Sequence, residues 1–134
     1  MADINEAKSW LTIATRDISV AKHLFEVMRP MPVEIICFHS QQAMEKALKA
    51  VLAYHEAVIR KTHEIDEIIA DCAKYTTEIT VDMRVAEVMS SFAVAVRYTE
   101  DNRDITEDTA EFAIKQAEQA MDMVCRYLER SEQI

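Results

Sequence analysis

The fold of this chain is decided by residues 32–59, which read PVEIICFHSQQAMEKALKAVLAYHEAVI. The stretch has no glycine, and its proline stands first, where a fixed φ suits the opening turn of a helix. Successive helical residues are turned by about 100°. With that rotation, one stripe of the helix holds Ile36, Ala43, Ala47, Ala50 and Tyr54. The stretch therefore predicts a helix that begins at Pro32 and runs to about Ile59.

The apolar arc of this helix is wider than a single bundle core requires. Side chains beside the stripe extend the arc to about 200°. They are Cys37, Met44, Leu48, Val51 and Leu52. Such an arc predicts a second packing surface, and we expect a homodimer interface there. The alternative is that the whole arc is buried within one chain.

Helical patterns continue on both sides of this stretch. The chain has no glycine and only two prolines, Pro30 and Pro32, so it lacks the usual residues of hairpins and β-turns. A first helix is predicted to start at Asp3 with Glu6 and to stop at Pro30. Its apolar seam repeats every seven residues, at Ile4, Leu11, Ile18 and Phe25.

Three further helices are predicted after residue 60. A short helix from Glu64 to Tyr75 has an inner face of Ile65, Ile68, Ile69 and Cys72. The next carries a seam of Val81, Val85, Val88, Phe92 and Val96. The last is capped by Thr106, and its seam is Ala110, Ala113, Ala117, Met121, Val124 and Leu128. Together these segments predict one all-α domain over residues 1–134, an up-and-down four-helix bundle with an additional short helix.

Composition narrows the classes of function. No apolar run is long enough to span a bilayer and the N-terminus does not look like a leader, so we expect a cytoplasmic protein without a membrane partner. The formal charge of −9 argues against non-specific nucleic-acid binding, although a local basic patch remains possible. Cys37, Cys72 and Cys125 are far apart, and we expect buried thiols rather than a disulfide or a zinc site.

Cofactor motifs are missing. Without glycine there is no P-loop or Rossmann phosphate loop. No Glu-x-x-His pair occurs, and the reversed order in His23-Leu24-Phe25-Glu26 occurs once, so a metal pair in the bundle is not expected. We therefore predict no cofactor and no metal site.

Three groups of polar residues are candidate sites. His39, Gln42, Lys46 and Lys49 form a polar stripe at one border of the apolar arc, which either meets an anionic ligand or is solvated, with Glu45 and Lys49 as an ordinary i,i+4 pair. His63 stands where the third helix starts and suits capping or packing. A third group follows the fourth helix, where a guanidinium beside an aromatic ring suits phosphate and a stacked base. Its members are Arg97, Tyr98, Asp101, Asn102 and Arg103, and the alternative is an ordinary polar loop.

Three elements of the sequence resemble the HEPN domain family. The run from Cys37 to Ala50 resembles the family's second helix, with its AxEKxxKA-like core. Thr62-His63-Glu64-Ile65 resembles the family's [ST]-H-x-[LI] element, and Val96-Arg97-Tyr98 its aRY segment. The three elements occur in the family's order and, with the helix order, cover nearly the whole chain.

The resemblance implies a dimeric helical bundle and a family of ribonuclease toxins and of proteins that work beside small nucleotidyltransferases. In the nucleases an R-x(4-6)-H motif supplies an arginine for phosphate and a histidine for acid/base chemistry, and one toxin group adds a tyrosine that the partner modifies. Arg97 fits the arginine, but Asn102 stands at the histidine position and Asp104 at that of the tyrosine. Asparagine cannot exchange a proton near neutral pH. Arg16 and His23 fit the spacing only inside the first helix, which we interpret as coincidence.

Three functional hypotheses follow. The first is a non-catalytic, dimeric HEPN protein that binds a nucleotide, an RNA or a partner nucleotidyltransferase. Its candidate site residues are Arg97, Tyr98, Asn102, Arg103, His39, Lys46, Lys49 and His63. The second is a divergent HEPN ribonuclease, a toxin in which His63 or His39 replaces the missing histidine. The third is a purely structural oligomerisation module.

Overall fold

The computed structural model describes residues 2–94 and 105–133 and contains five helices in these ranges. They are α1 (Ile4–Val27), α2 (Val33–Tyr54), α3 (Ile65–Cys72), α4 (Met83–Ser91) and α5 (Glu107–Glu132). The predicted all-α bundle is confirmed. Of these helices, α3 and α4 are both short, with 8 and 9 residues. The predicted residues Arg97, Tyr98, Asn102 and Arg103 lie outside the described ranges.

Predicted caps determine where the first and last helices begin. The Asp3 carboxylate accepts a hydrogen bond from the Glu6 amide at 3.0 Å. The Thr106 hydroxyl accepts one from the Thr109 amide, and Thr109 in turn binds the Thr106 amide, which completes a capping box. Side-chain acceptors of this kind satisfy amides that have no partner in the first helical turn.

Contacts between helix ends give the directions of the long helices. The Asp3 amide donates to the Tyr54 carbonyl at 2.9 Å, so the start of α1 lies beside the end of α2 and the two helices are antiparallel. The Tyr54 hydroxyl donates to Glu132 at 2.8 Å, so α2 and α5 end at the same side of the bundle. Helix α2 also contacts α3 and α4. It is therefore the central helix, covered on several sides.

This central position overturns the predicted homodimer face. Cys37, Met44, Leu48, Val51 and Leu52 are all buried within the single chain. Their wide arc is covered by α1, α5, α3 and α4 together. The alternative interpretation of the broad arc, burial within one chain, is the one that the structure supports.

Helix α2 ends five residues before the predicted position at Ile59. The Glu56 amide donates to the Ala53 carbonyl at 3.0 Å and the Ala57 amide to the Leu52 carbonyl at 2.9 Å, the two bonds of a Schellman motif. Glu56 has a φ of 54°, a left-handed conformation that glycine usually supplies at this position. Because glycine does not occupy this position, sequence analysis did not predict that the helix ends here.

The predicted seam of α4 is only partly correct. Asp82 accepts hydrogen bonds from the amides of Arg84 and Val85, so the helix starts after Val81. The buried face consists of Ala86, Met89 and Ser90, while Val88 is exposed. Since Val81 precedes the helix and Val88 is exposed, the predicted seam does not lie along one buried face, and its last member, Val96, lies outside the described residues.

Candidate functional site

A buried carboxylate lies at the centre of the predicted polar region. Glu45 of α2 has no exposed surface, and four side chains bind its two oxygens. Lys49 Nζ lies 2.9 Å and Lys46 Nζ 3.1 Å from Oε2. His63 Nδ1 lies 2.8 Å and Gln41 Nε2 3.2 Å from Oε1. We call Gln41, Glu45, Lys46, Lys49 and His63 the Glu45 cluster.

Helix geometry explains why three of these groups meet. Gln41, Glu45 and Lys49 are spaced by four residues, which places them one above the other on one face of α2. All three are buried, and the Lys49 side chain is only 7% exposed. Lys49 Nζ also lies 6.0 Å from the centre of the Trp10 ring on α1. The Lys49 side chain is therefore part of the interior, and the prediction that it is solvated is wrong.

The ionised form of Glu45 is strongly favoured. Burial by itself raises the pKa of a carboxyl group, but hydrogen bonds from Lys49 and His63 and the charge of Lys46 outweigh burial and lower the pKa of Glu45 to about 2. An ionised carboxylate only accepts hydrogen bonds, so Nδ1 of His63 must carry the proton. In the neutral imidazole Nε2 is then an acceptor, and no side chain in residues 2–94 and 105–133 binds it.

The backbone of the loop before α3 is held by the same cluster. Lys49 Nζ donates to the Thr62 carbonyl at 3.1 Å, and Gln41 Nε2 donates to the His63 carbonyl at 3.1 Å. Thr62 accepts from the Glu64 amide and donates to Glu67 at 2.5 Å. The His63 side chain is therefore held by its contact with Glu45, although it remains 61% exposed. The N-cap residue of α3, Glu64, makes no side-chain cap.

His39 belongs to a different contact. Its Nδ1 lies 2.9 Å from Oδ1 of Asp17 on α1. Gln42 donates to Gln41 at 2.6 Å and joins the edge of the Glu45 cluster. The predicted stripe is therefore divided: the structure brings Lys46, Lys49 and His63 together around Glu45, and it pairs His39 with α1.

A cleft of about 510 Å³ lies on the exposed side of His63. Its walls come from the loop before α3 and from the end of α4, including Ser90 and Val94. Three carboxylates, Glu64, Asp66 and Glu87, and one ammonium group, Lys61, also line it. Among the residues that the structure describes, the lining of the cleft is therefore more acidic than basic.

Other site types are limited within the described ranges. Residues 2–94 and 105–133 contain no group of three or more His, Cys, Asp or Glu side chains that could hold a metal ion. No described helix has the length and apolarity to cross a membrane. Burial raises the pKa of Cys72 to about 12, which makes this thiol a poor nucleophile.

Comparison with known proteins assigns the family. The HEPN domain model matches residues 7–130. This chain belongs to the HEPN domain family. TT1696 from Thermus thermophilus has a similar structure, with a TM-score of 0.76, 24% identity, and coverage of 91% of this chain and 98% of that one. ST0689, an archaeal HEPN homologue, has a TM-score of 0.65, 21% identity, and coverage of 92% and 98%. A search of curated proteins gives no significant match.

The central residue of the Glu45 cluster was missed by sequence analysis, which treated Glu45 only as the partner of Lys49 in a surface pair. A signal was present, since polar residues at 41, 45 and 49 repeat at helical spacing beside a very wide apolar arc. Polar groups embedded in such an arc must be paired when it is buried. Sequence spacing alone does not show that His63 supplies one of the partners.

Proposed function

We propose that this HEPN protein is non-catalytic and binds the phosphate groups of a nucleotide or an RNA through the segment that contains Arg97, Tyr98, Asn102 and Arg103. Asn102 carries this proposal. It stands where the nucleases that the sequence resembles have their histidine, so the phosphate-binding arginine is kept and the proton carrier is lost.

The contacts of the four histidines support a non-catalytic role. His39 binds Asp17, His55 Nε2 lies 2.6 Å from the Tyr127 hydroxyl, and His63 binds Glu45. His23 is exposed on α1. Three of the four imidazoles are thus held by contacts within the fold.

The charges around the Glu45 cluster affect where an anion can bind. Two ammonium groups surround one carboxylate there, so the cluster has a net positive charge even with a neutral His63, in a chain whose formal charge is −9. The carboxylates of Glu64, Asp66 and Glu87 oppose a phosphate inside the adjacent cleft. We therefore assign the phosphate to the Arg97 segment, which follows Val94 of the cleft wall in the sequence.

Binding of single-stranded RNA and of nucleotides to Arg97→Ala tests this function. Loss of a charge-assisted phosphate contact should weaken binding about 10-fold or more. Arg84→Ala is the matched control because Arg84 is exposed on α4, and it should change the affinity by less than about twofold. The proposal fails if the wild-type protein binds neither RNA nor any nucleotide, or if the two variants weaken binding equally.

A divergent ribonuclease is the second candidate, and one observation favours it. The Glu45–His63 pair holds an exposed imidazole whose Nδ1 is protonated, which leaves Nε2 as a possible general base beside the end of α4. Incubation with RNA distinguishes the candidates. Cleavage that is abolished by both Arg97→Ala and His63→Asn, and retained in His39→Asn, would replace the binding function with this one.

We also propose a homodimer, formed by a surface other than the buried arc of α2. Helix α1 exposes Ile13, Val20 and Val27 at seven-residue spacing, which gives it an outward apolar stripe. Val20→Glu should shift the sedimentation of a dimer towards the monomer. Val88→Glu is the control, because Val20 and Val88 are each 41% exposed. A monomeric wild-type protein at micromolar concentration contradicts the homodimer.

We also propose that the protein binds a partner nucleotidyltransferase. This part of the proposed function rests on the family resemblance alone. If a neighbouring gene encodes a nucleotidyltransferase, co-expression of the two proteins should yield a complex that survives gel filtration. Separate elution of the two proteins would remove this partner from the proposal.

A further inference from the structure

A second cleft lies at the end of α2, away from the Glu45 cluster. It has a volume of about 680 Å³, within the range of small-ligand sites. Leu52, Ala57 and Ala70 form apolar parts of its wall, and Val58 and Tyr75 are exposed at its side. Leu52 and Glu45 are seven residues apart on α2, which corresponds to about 10 Å along the helix axis.

Tyr75 provides a flat aromatic surface in this cleft. Its ring stacks on His55, with 4.9 Å between ring centres and 14° between ring planes. His55 is held in turn by Tyr127, whose hydroxyl lies 2.6 Å from Nε2. The Tyr75 residue is 44% exposed. One face of the tyrosine ring is thus supported by a fixed imidazole, and the exposed surface of the ring can stack with another ring.

The polar part of the same cleft is cationic. Arg60 Nε donates to Asp71 Oδ2 at 2.9 Å, and Lys74 Nζ lies 3.5 Å from Asp71 Oδ1. Arg60 also donates to the Glu67 carbonyl at 3.2 Å. Its guanidinium has five N–H groups, so donors remain beyond these two bonds. Arg60, Lys74 and Asp71 together give the cleft wall a net positive charge. The Glu67 carboxylate is not part of the cleft wall, but it lies 3.9 Å from Arg60 and offsets part of this charge.

We propose that this cleft binds a planar heteroaromatic ring that carries an anionic group, such as a nucleoside monophosphate, either free or at the end of an RNA. The ring stacks on Tyr75, and the anion contacts Lys74 and the remaining donors of Arg60. This site is separate from the Arg97 segment of the proposed function, and it does not require that function to be correct.

Calorimetric titration with adenosine 5′-monophosphate tests the site. Adenosine probes the stacking contact alone, and ribose 5-phosphate probes the anion contact alone. The monophosphate should bind more tightly than either fragment. Tyr75→Ala should weaken binding about 10-fold or more, because stacking on one base is lost, whereas Tyr75→Phe keeps the ring and should stay within about threefold. A 5′-phosphorylated RNA dinucleotide, titrated in parallel, shows whether the ligand is a free nucleotide or an RNA end.

A second variant keeps the test decisive if Tyr75→Ala does not fold. The Lys74 side chain is 70% exposed, so Lys74→Glu should leave the fold intact. It should weaken binding of the monophosphate several-fold and leave adenosine binding unchanged. The proposal is overturned if the monophosphate does not bind at millimolar concentration, or if a folded Lys74→Glu variant binds it as tightly as the wild type.

Arg97→Ala separates this inference from the proposed function. If Tyr75→Ala loses binding of the monophosphate and Arg97→Ala keeps it, the ligand is assigned to the cleft. The reverse result supports the Arg97 segment and rejects the cleft.

Discussion

Two carboxylates of this HEPN protein, Glu45 and Asp71, are each bound by two cationic side chains, but their surroundings differ. Glu45 and its partner Lys49 are buried, whereas Arg60 and Lys74 around Asp71 are exposed. Both carboxyl groups have a lowered pKa. Burial opposes this shift at Glu45 but is outweighed there, and the hydrogen bond from Arg60 is the largest cause at Asp71.

The difference shows why similar ion pairs serve different purposes. In the Glu45 cluster the charges satisfy one another inside the bundle and fix the loop before α3, so they cannot separate without loss of stability. Around Asp71 the cations still face water, so they can bind an external anion at little cost. We therefore interpret the first cluster as structural and the second as the recognition surface of the proposed ligand cleft.

The largest expected effect comes from removal of the buried charge. Glu45→Gln leaves the ammonium group of Lys49 buried without a counterion, and we expect a loss of about 3–5 kcal/mol in the free energy of unfolding. Asp71→Asn, with exposed partners, should cost about 1 kcal/mol. Urea denaturation followed by circular dichroism measures both. Equal losses in the two variants would contradict the comparison.

Lowering the pH should reversibly remove the stabilisation that the ionised Glu45 carboxylate provides. Because folding lowers the pKa of Glu45 from 4.5 to about 2, its contribution is complete above pH 4.5 and declines as the pH falls towards 2. The contribution is on the order of 3 kcal/mol. The difference in unfolding free energy between wild type and Glu45→Gln should therefore shrink from about pH 6, above the transition, to about pH 3, which lies within it. A difference that is constant over this range would refute the assignment.

The smallest expected effect lies just after the end of α2. Glu56 adopts a positive φ of 54°, which is unfavourable for residues with a Cβ atom. Glu56→Gly should raise the free energy of unfolding by about 1 kcal/mol, and Glu56→Ala should leave it within about 0.5 kcal/mol. Thermal denaturation at neutral pH compares the three proteins. Stabilisation by alanine as large as that by glycine would show that charge, not backbone conformation, is responsible.

Sequence analysis identified some residues of the Glu45 cluster but not the contacts that join them. Lys46, Lys49 and His63 were candidates from the sequence, since two lie on one helix face and the third lies in the family's [ST]-H-x-[LI] element. Their shared partner was not identified, because Glu45 and His63 are 18 residues apart and meet only when the loop packs on α2. The Tyr75 cleft depends on similar long-range contacts and left no pattern in the sequence.

The sequence by itself determined the helical class, the caps at Asp3 and Thr106, and the seams of the first and last helices, because these features depend on residues within a few positions of one another. The tertiary structure alone decided that the broad arc of α2 is interior rather than interface, and that Lys49 is buried rather than solvated. The physical reason is that burial depends on which other helix covers a face. On α2 that cover comes mainly from α1 and α5, with α3 and α4 completing it, and these contacts join distant parts of the chain.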